Sequence, residues 1–357
     1  ILFVKIVVSL LKVGKRMDRK KFLTSSTAII AAACSPTSTA LAAPKLEPTR
    51  EIIPPYLKNG DMIGITAPAG FVLREGIIPA ATLMQQWGFK IRAGYTVGKK
   101  NFTYGGTDEE RLQDFQMMLN DPQINAIMCA RGGYGAVRII DRLNWDKFKA
   151  RPKWIIGFSD ITVIHSHLNR QLGIASIHSK MCNSFPDIWD QASDLQKATI
   201  ISIQKALMGE KMHYSAAANN YNRTGAASGT LVGGNLKTIE SLAGSASDIK
   251  TDGKILFVED TGEYLYSIDR MFWNLKRSGK LSKLAGLIVG GVKIKQDAPD
   301  EYFGKTVYEI VSERVNEYSY PVCFDFPVGH QIDNFALKCG VKHRLDVASG
   351  GTTLVEI

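Results

Sequence analysis

From about residue 60 the chain alternates short apolar runs with stretches of helical periodicity, and that alternation restricts it to one broad fold class. Residues 62–67 form an apolar run that ends in the turn Pro68-Ala69-Gly70, and residues 77–87 then show helical spacing. Residues 125–130 form a second run, closed by Arg131-Gly132-Gly133-Tyr134-Gly135. Residues 153–157 form a third, followed at once by a helical stretch at 160–170. Strands that alternate with helices argue for a parallel sheet with helices packed on it, because parallel neighbours need a crossover between them.

Residues 183–227 interrupt the rhythm. An amphipathic segment at 194–208 is followed by a polar stretch at 215–228 that contains Asn219, Asn220, Asn222 and Gly225. This reads as the connection between two domains. Beyond it, strands at 229–232, 255–258, 286–289 and 322–326 alternate with helices at 236–242, 266–277 and 305–318. The expected fold class is α/β: an N-terminal domain at 44–182 with a parallel sheet flanked by helices, and a smaller C-terminal α/β domain at 228–357. No internal repeat is visible.

Charge first suggests a nucleic-acid partner, since the 357 residues carry a formal net charge of +10. Its location removes that reading. Residues 1–43 hold seven basic residues against Asp18 alone, so six of the ten charges lie in this leader. The rest has 37 basic and 33 acidic residues, with no basic stripe interleaved with aromatics, and a nucleic-acid binder is not expected. The leader itself reads as an export signal. Arg19-Lys20-Lys21-Phe22-Leu23 resembles a relaxed twin-arginine motif, residues 28–34 are weakly apolar, and Ala40-Leu41-Ala42 is a small-x-small cleavage pattern. A competing reading takes Ala31-Ala32-Ala33-Cys34 as a poor lipobox with a lipid anchor on Cys34. Either way the expected location is periplasm or cell envelope.

The remaining cysteines, Cys129, Cys182, Cys323 and Cys339, form no CxxC pair, so a zinc ribbon or thioredoxin motif is unsupported. Cys129 and Cys323 sit in apolar runs and read as small buried hydrophobes. Spacing leaves a disulfide open.

In open α/β sheets, sites form at the carboxyl ends of strands. Arg131–Gly135, Ser159-Asp160 and Glu259-Asp260 follow expected strands, and Gly329-His330 follows another after a short turn. A serine on the tight turn Gly157-Phe158-Ser159-Asp160 presents its hydroxyl, with the next N–H at a helix start, as a nucleophile requires. A helix cap explains it as well, and Ile161 stands where a G-x-S-x-G elbow has its last glycine. Six histidines are candidates for a base. His165 and His167 lie two apart on one helix and point to different sides. His178 follows a short apolar run and stands near a site. His213 and His343 have polar neighbours and read as surface residues. His330, past an apolar strand and a glycine turn, is well placed for a site or for a structural role. Glu259 at a strand end suits an acid that orients a histidine, while Asp260 equally suits a helix cap. The glycine run after Arg131 can offer oxyanion donors or be a plain turn. It is neither a dinucleotide fingerprint, since Arg138 stands at the third glycine position, nor a P-loop.

Taken together, these residues resemble the LD-carboxypeptidases, the serine peptidase family that includes the microcin C self-immunity peptidases. The matching stretches are residues 60–70, Arg131–Gly135, Gly157-Phe158-Ser159-Asp160, Gly233-Gly234-Asn235-Leu236, Glu259-Asp260, residues 286–291 and Gly329-His330, in order from about residue 50 to the C-terminus. The resemblance implies Ser159 as nucleophile, His330 as base and Glu259 as orienting acid. It implies the N–H groups of Asp160 and of Gly132 or Gly133 as oxyanion donors, and no metal or cofactor. Arg131 beside those glycines would pair with a substrate carboxylate. The implied substrate is a murein tetrapeptide, cut at the L,D bond to its terminal D-alanine. The alternatives are a hydrolase of another amide, such as a microcin C-type peptide–nucleotide, or a non-catalytic muropeptide binder. A homodimer is left open, with no interface legible.

Overall fold

The computed structural model describes residues 51–357. The leader at 1–43, with its export motif and Cys34, lies outside the described residues. Two sheets organise the rest. In the first, β1 (Met62–Thr66), β2 (Lys90–Ala93), β3 (Ile124–Cys129), β4 (Trp154–Gly157) and β5 (Ser176–His178) run parallel in the order β5-β4-β3-β1-β2. β4 is buried along its whole length, which is why its sequence is a continuous apolar run rather than an alternating one.

Helices α1 (Ile78–Gln86) and α2 (Asp108–Asn120) make the first crossovers. α2 starts at a capping box: Thr107 accepts the Glu110 N–H, and the Glu110 carboxylate accepts the Thr107 N–H at 2.9 Å. Short helices α3 (Asp146–Ala150) and α4 (Thr162–His167) flank β4, and α4 starts within a few residues of its end.

Residues 183–227 are more than a connection. Helix α5 (Asp194–Met208) sits there, with Ser193 and Gln196 as its capping box and Gly209 at φ +88° as its stop. Its Ile200, Ile203, Ala206 and Leu207 enter the same buried core as Trp154 and Ala126. The next strand, β6 (His213–Ala216), is the edge of the second sheet.

In that sheet β7 (Gly225–Asn235), β8 (Ile255–Glu263), β9 (Gly286–Ile294) and β10 (Val322–Cys323) run parallel. Helices α6 (Leu236–Ser241), α7 (Leu265–Arg277) and α8 (Val307–Val315) connect them. The other half of the sheet is antiparallel: β12 (Lys342–Ala348) pairs with β7, β13 (Gly351–Glu356) with β12, and β6 with β13. Strand β7 serves both halves, antiparallel through residues 225–230 and parallel through residues 231–235.

The chain also returns to the first sheet. β11 (Leu337–Cys339) adds antiparallel to β5, so a segment near the C-terminus completes the N-terminal layer. One core runs between the sheets, with Ile63, Ile65 and Trp154 in the same cluster as Leu231, Phe257 and Ile288. Cys129, Cys182, Cys323 and Cys339 are all buried, and no disulfide joins them among the described residues. Among the described residues no helix is long and apolar enough to cross a membrane.

His343 is not a surface residue. It is fully buried, and its Nδ1 donates to the Val341 carbonyl at 3.0 Å. Its polar neighbours Lys342 and Arg344 are the outward members of a period-two strand whose inward members are His343 and Leu345.

β11 carries an ion pair out of water. Lys338 is fully buried, 2.9 Å from Glu356, donates to the Glu210 carbonyl at 3.0 Å, and stands 4.7 Å from the centre of the Tyr56 ring. Burial pulls its ammonium below the ordinary lysine value, and the Glu356 carboxylate opposes that shift. Lys338→Met leaves Glu356 as an uncompensated buried charge and is expected to cost about 3–5 kcal/mol. Urea unfolding of Lys338→Met beside Lys338→Met/Glu356→Leu checks this, and the double variant is expected to regain most of the loss.

Candidate active site

β4 ends at Gly157, Phe158 is extended, and Ser159 then adopts φ +61°, one of three non-glycine residues in the left-handed region among those described. Asp160 continues into a helical turn that leads to α4. This is a strained strand-to-helix elbow, of the kind that projects a nucleophile from the top of a sheet. Ile161 fits although it replaces the usual last glycine, because Gly157 makes the room: a Cβ on Gly157 would lie 2.9 Å from the Ile161 side chain.

The glycine loop after β3 lies against the elbow. A Cβ on Gly132 would come within 3.0 Å of Ser159 Cβ. The Gly132 carbonyl accepts the Gly70 N–H at 2.7 Å, which joins the loop to the turn after β1. Asp160 holds its far end, since Asp160 Oδ2 accepts the Ala136 N–H at 2.8 Å. Arg111, fully buried on α2, donates to the carbonyls of Pro68 at 2.7 Å and Gly135 at 2.8 Å. Backbone N–H groups near Ser159 are thereby fixed, as oxyanion donors must be. Arg131 is engaged elsewhere: it donates to the Phe71 carbonyl at 3.1 Å and lies over the Phe71 ring, 5.3 Å from its centre.

His330 arrives from the second sheet. Gly329 forms a parallel bridge to Gly291 and donates its N–H to Asn334 Oδ1 at 2.8 Å. Its φ is +112°, and a Cβ there would lie 2.6 Å from Glu259 Cβ, so only glycine allows this approach. His330 Nδ1 is 2.6 Å from Glu259 Oε2, and Glu259 is fully buried within β8. A carboxylate can only accept, so Nδ1 carries the proton and Nε2 is left as the basic nitrogen. The imidazole packs on Phe158, the residue before Ser159, with ring centres 4.8 Å apart. Among the described residues Glu259 is the only side-chain partner of His330, and no hydrogen bond joins its ring to Ser159. Such contacts often tighten only when substrate is present.

Asp260 does not cap the helix after β8. It lies within the strand, accepts the Lys237 N–H at 2.8 Å and the Asn235 amide at 3.2 Å, and so fixes the start of α6. The Asn235 N–H reaches Thr162 Oγ1 of the elbow helix at 3.0 Å. A Cβ on Gly234 would lie 2.4 Å from that oxygen. The Gly233-Gly234-Asn235 turn is therefore a close contact between the serine elbow and the strand end that carries Glu259.

Two cavities meet here and share Thr261. One, of about 400 Å³, is lined by Ser159, Tyr134, Lys237, Asp260 and Glu263. The other, of about 360 Å³, is lined by His330, Phe158, Lys180, Lys293 and Gln331. Of these, Lys180, Lys237, Thr261, Glu263 and Lys293 were not singled out by sequence. Lys180 carried a usable signal, since it lies two residues past the carboxyl end of β5. His178, at that strand end, is fully buried between Phe158 and Phe257, and burial holds it neutral, well below the ordinary histidine value. His165 and His167 point apart, to Ser176 and Ser247 respectively, each at 2.9 Å. His213 is exposed. Among the described residues no three His, Cys, Asp or Glu side chains cluster closely enough to hold a metal ion.

Burial pushes the Asp160 carboxyl up to about 6. The native state then keeps a proton that the unfolded chain releases near pH 4, so Asp160 favours the fold below that pH. The contribution is lost as pH rises through about 6. Asp160→Asn is expected to flatten this dependence and to stabilise the fold at pH 7 by about 1–3 kcal/mol. Denaturant unfolding of both forms at pH 4 and pH 7 checks it. The difference between them isolates Asp160 from buried His165, whose pKa of about 4 gives the opposite slope.

Known families show the same two-part arrangement. The LD-carboxypeptidase N-terminal domain matches residues 63–179 and the LD-carboxypeptidase C-terminal domain matches residues 228–345. A putative carboxypeptidase of Synechocystis sp. is 32% identical over 307 residues, covering 85% of this chain and 97% of that protein. The chain belongs to the LD-carboxypeptidase family. A probable murein peptide carboxypeptidase of Bacillus subtilis is 29% identical over 301 residues, covering 83% of this chain and 92% of its own length. The crystal structure of a muramoyltetrapeptide carboxypeptidase from Oxalobacter formigenes superposes with a TM-score of 0.73 at 26% identity, over 83% of this chain and 99% of that one. As an LD-carboxypeptidase family member the protein is a peptidase. Ser159 falls within the N-terminal match, and Glu259 and His330 within the C-terminal one.

Proposed function

We propose that this protein is a serine LD-carboxypeptidase that removes the terminal D-alanine of a murein tetrapeptide, working in the cell envelope to which its leader would direct it. The observation that carries the reading is the Glu259–His330 pair at 2.6 Å, whose imidazole packs on the residue next to a serine in a strained elbow. In this reaction Ser159 Oγ attacks the scissile carbonyl carbon while its proton passes to His330 Nε2. The Glu259 carboxylate stabilises the imidazolium formed. The N–H groups of Asp160 and of Gly132 or Gly133 hold the oxyanion. Collapse of the tetrahedral intermediate breaks the C–N bond, and Nε2 returns the proton to the leaving amine. Water, deprotonated by the same nitrogen, then hydrolyses the ester, releases the tripeptide and restores Ser159.

A substrate panel tests the reading. Mass spectrometry of products from murein tetrapeptide, its all-L counterpart and a peptidyl nucleotide is expected to show cleavage of the tetrapeptide alone. Preference for the peptidyl nucleotide would reassign the enzyme to another amide. Tetrapeptide binding without any turnover would make it a muropeptide-binding protein.

A further inference from the structure

We infer that the cavity beside His330 seats the substrate's terminal carboxylate, held by the ammonium groups of Lys180 and Lys293. The inference rests on the serine carboxypeptidase reading and adds to it the group that makes the enzyme cut only at a chain end.

The direction of catalysis fixes where that group must lie. His330 returns its proton to the leaving amine, so the leaving residue sits on the His330 side of the scissile bond. Its carboxylate is attached to the same carbon as the amine. Cations that bind it must therefore stand close to the imidazole. Lys180 does: its Nζ donates to the carbonyl of Gln331, the residue after His330, and lies 5.9 Å from the centre of the Phe158 ring on which His330 packs. Lys293 lines the same cavity.

The two lysines give that cavity a positively charged lining. Among the described residues no Asp or Glu lines it, and neither lysine has a carboxylate partner within 4.0 Å. Burial, then the charge of Lys293, pull the Lys180 ammonium below its ordinary value, and the more distant carboxylates of Asp333 and Glu259 oppose that shift only in part. A bound carboxylate would offset the charge of Lys293 and give the buried ammonium an anionic partner. The Ser159 cavity has the opposite character, with Asp260 and Glu263 in its lining beside Lys237. A carboxylate is disfavoured there and favoured beside His330, which orients the peptide across Ser159. Arg131, the partner expected from sequence, lines neither cavity and is bound to Phe71.

The experiment compares murein tetrapeptide with its C-terminal carboxamide, in turnover by the wild type and in calorimetric binding to Ser159→Ala. Each is repeated with Lys180→Gln and with Lys293→Gln, and circular dichroism establishes that all forms fold. The wild type is expected to favour the free acid by about 10- to 100-fold in kcat/KM, and Ser159→Ala to favour it similarly in affinity, as loss of a charge-assisted contact implies. Lys180→Gln is expected to lose most of that preference by weakening the acid while leaving the amide within about threefold, and Lys293→Gln to lose part of it. Turnover with the acid-over-amide preference intact in both variants overturns the carboxylate site and leaves the peptidase reading standing. Acid-selective binding that depends on Lys180 but comes without turnover keeps the site and overturns the peptidase reading. A tetrapeptide that neither binds nor reacts overturns both.

Discussion

Ser159→Ala is expected to lower kcat by on the order of 10⁴- to 10⁶-fold, the scale seen when a triad nucleophile is removed. The loss should come without damage to the fold. Ser159 is only partly buried, and among the described residues its hydroxyl has no partner to leave unsatisfied. Alanine bears the same left-handed strain at φ +61° and inherits the same elbow. Ser159→Gly separates strain from chemistry. Glycine accepts this φ at no steric cost, so that variant should be as inactive as Ser159→Ala yet more stable by about 1 kcal/mol. Steady-state kinetics with urea unfolding on the three proteins checks both halves. A Ser159→Gly protein that unfolds more easily than Ser159→Ala would remove the argument that the elbow is held under strain for function.

Glu259→Gln is expected to lower kcat by about 10²- to 10⁴-fold while leaving stability equal or higher. The carboxylate accepts from His330 Nδ1 at 2.6 Å and so fixes which ring nitrogen is basic. An amide can present its NH₂ instead, which favours the wrong tautomer, and it cannot stabilise the imidazolium. The fold does not depend on this charge. Glu259 is fully buried, and Oε1 has no hydrogen-bond partner among the described residues. Removing a poorly satisfied buried charge relieves desolvation. A variant that loses activity only because it unfolds would contradict this division, and thermal unfolding beside single-turnover kinetics distinguishes the cases.

Much of the candidate site was legible in the sequence because its residues follow strand ends. Trp154–Gly157 is a buried parallel strand, so its sequence is a plain apolar run whose end is easy to see, and Ser159 comes directly after it. Glu259 and His330 were likewise visible as polar residues closing or following apolar runs. Their pairing was implied by the family resemblance and not by any local signal, since 71 residues separate them and the close approach at Gly329 brings them together.

The misread parts share one cause: tertiary context reversed a local signal. Leu337–Cys339 is three residues long and contains a lysine, so nothing local marks it as a strand of the first sheet. Lys338 becomes a core residue only because Glu356 meets it there. His343 looked exposed for the same reason, through neighbours that face the other way. The strand expected at 322–326 stops at Cys323, and Asp325 turns the chain at φ +54°. The polar stretch at 215–228 read as a linker because β7 begins there with small residues at mostly exposed positions.

Turnover of murein tetrapeptide by the wild type beside Ser159→Ala, with products resolved by mass spectrometry, decides whether Ser159 is the nucleophile of an LD-carboxypeptidase. Tripeptide and D-alanine in equal amounts are expected from the wild type, and intact tetrapeptide from the variant. Equal release by both proteins, or intact tetrapeptide from both, would contradict that role.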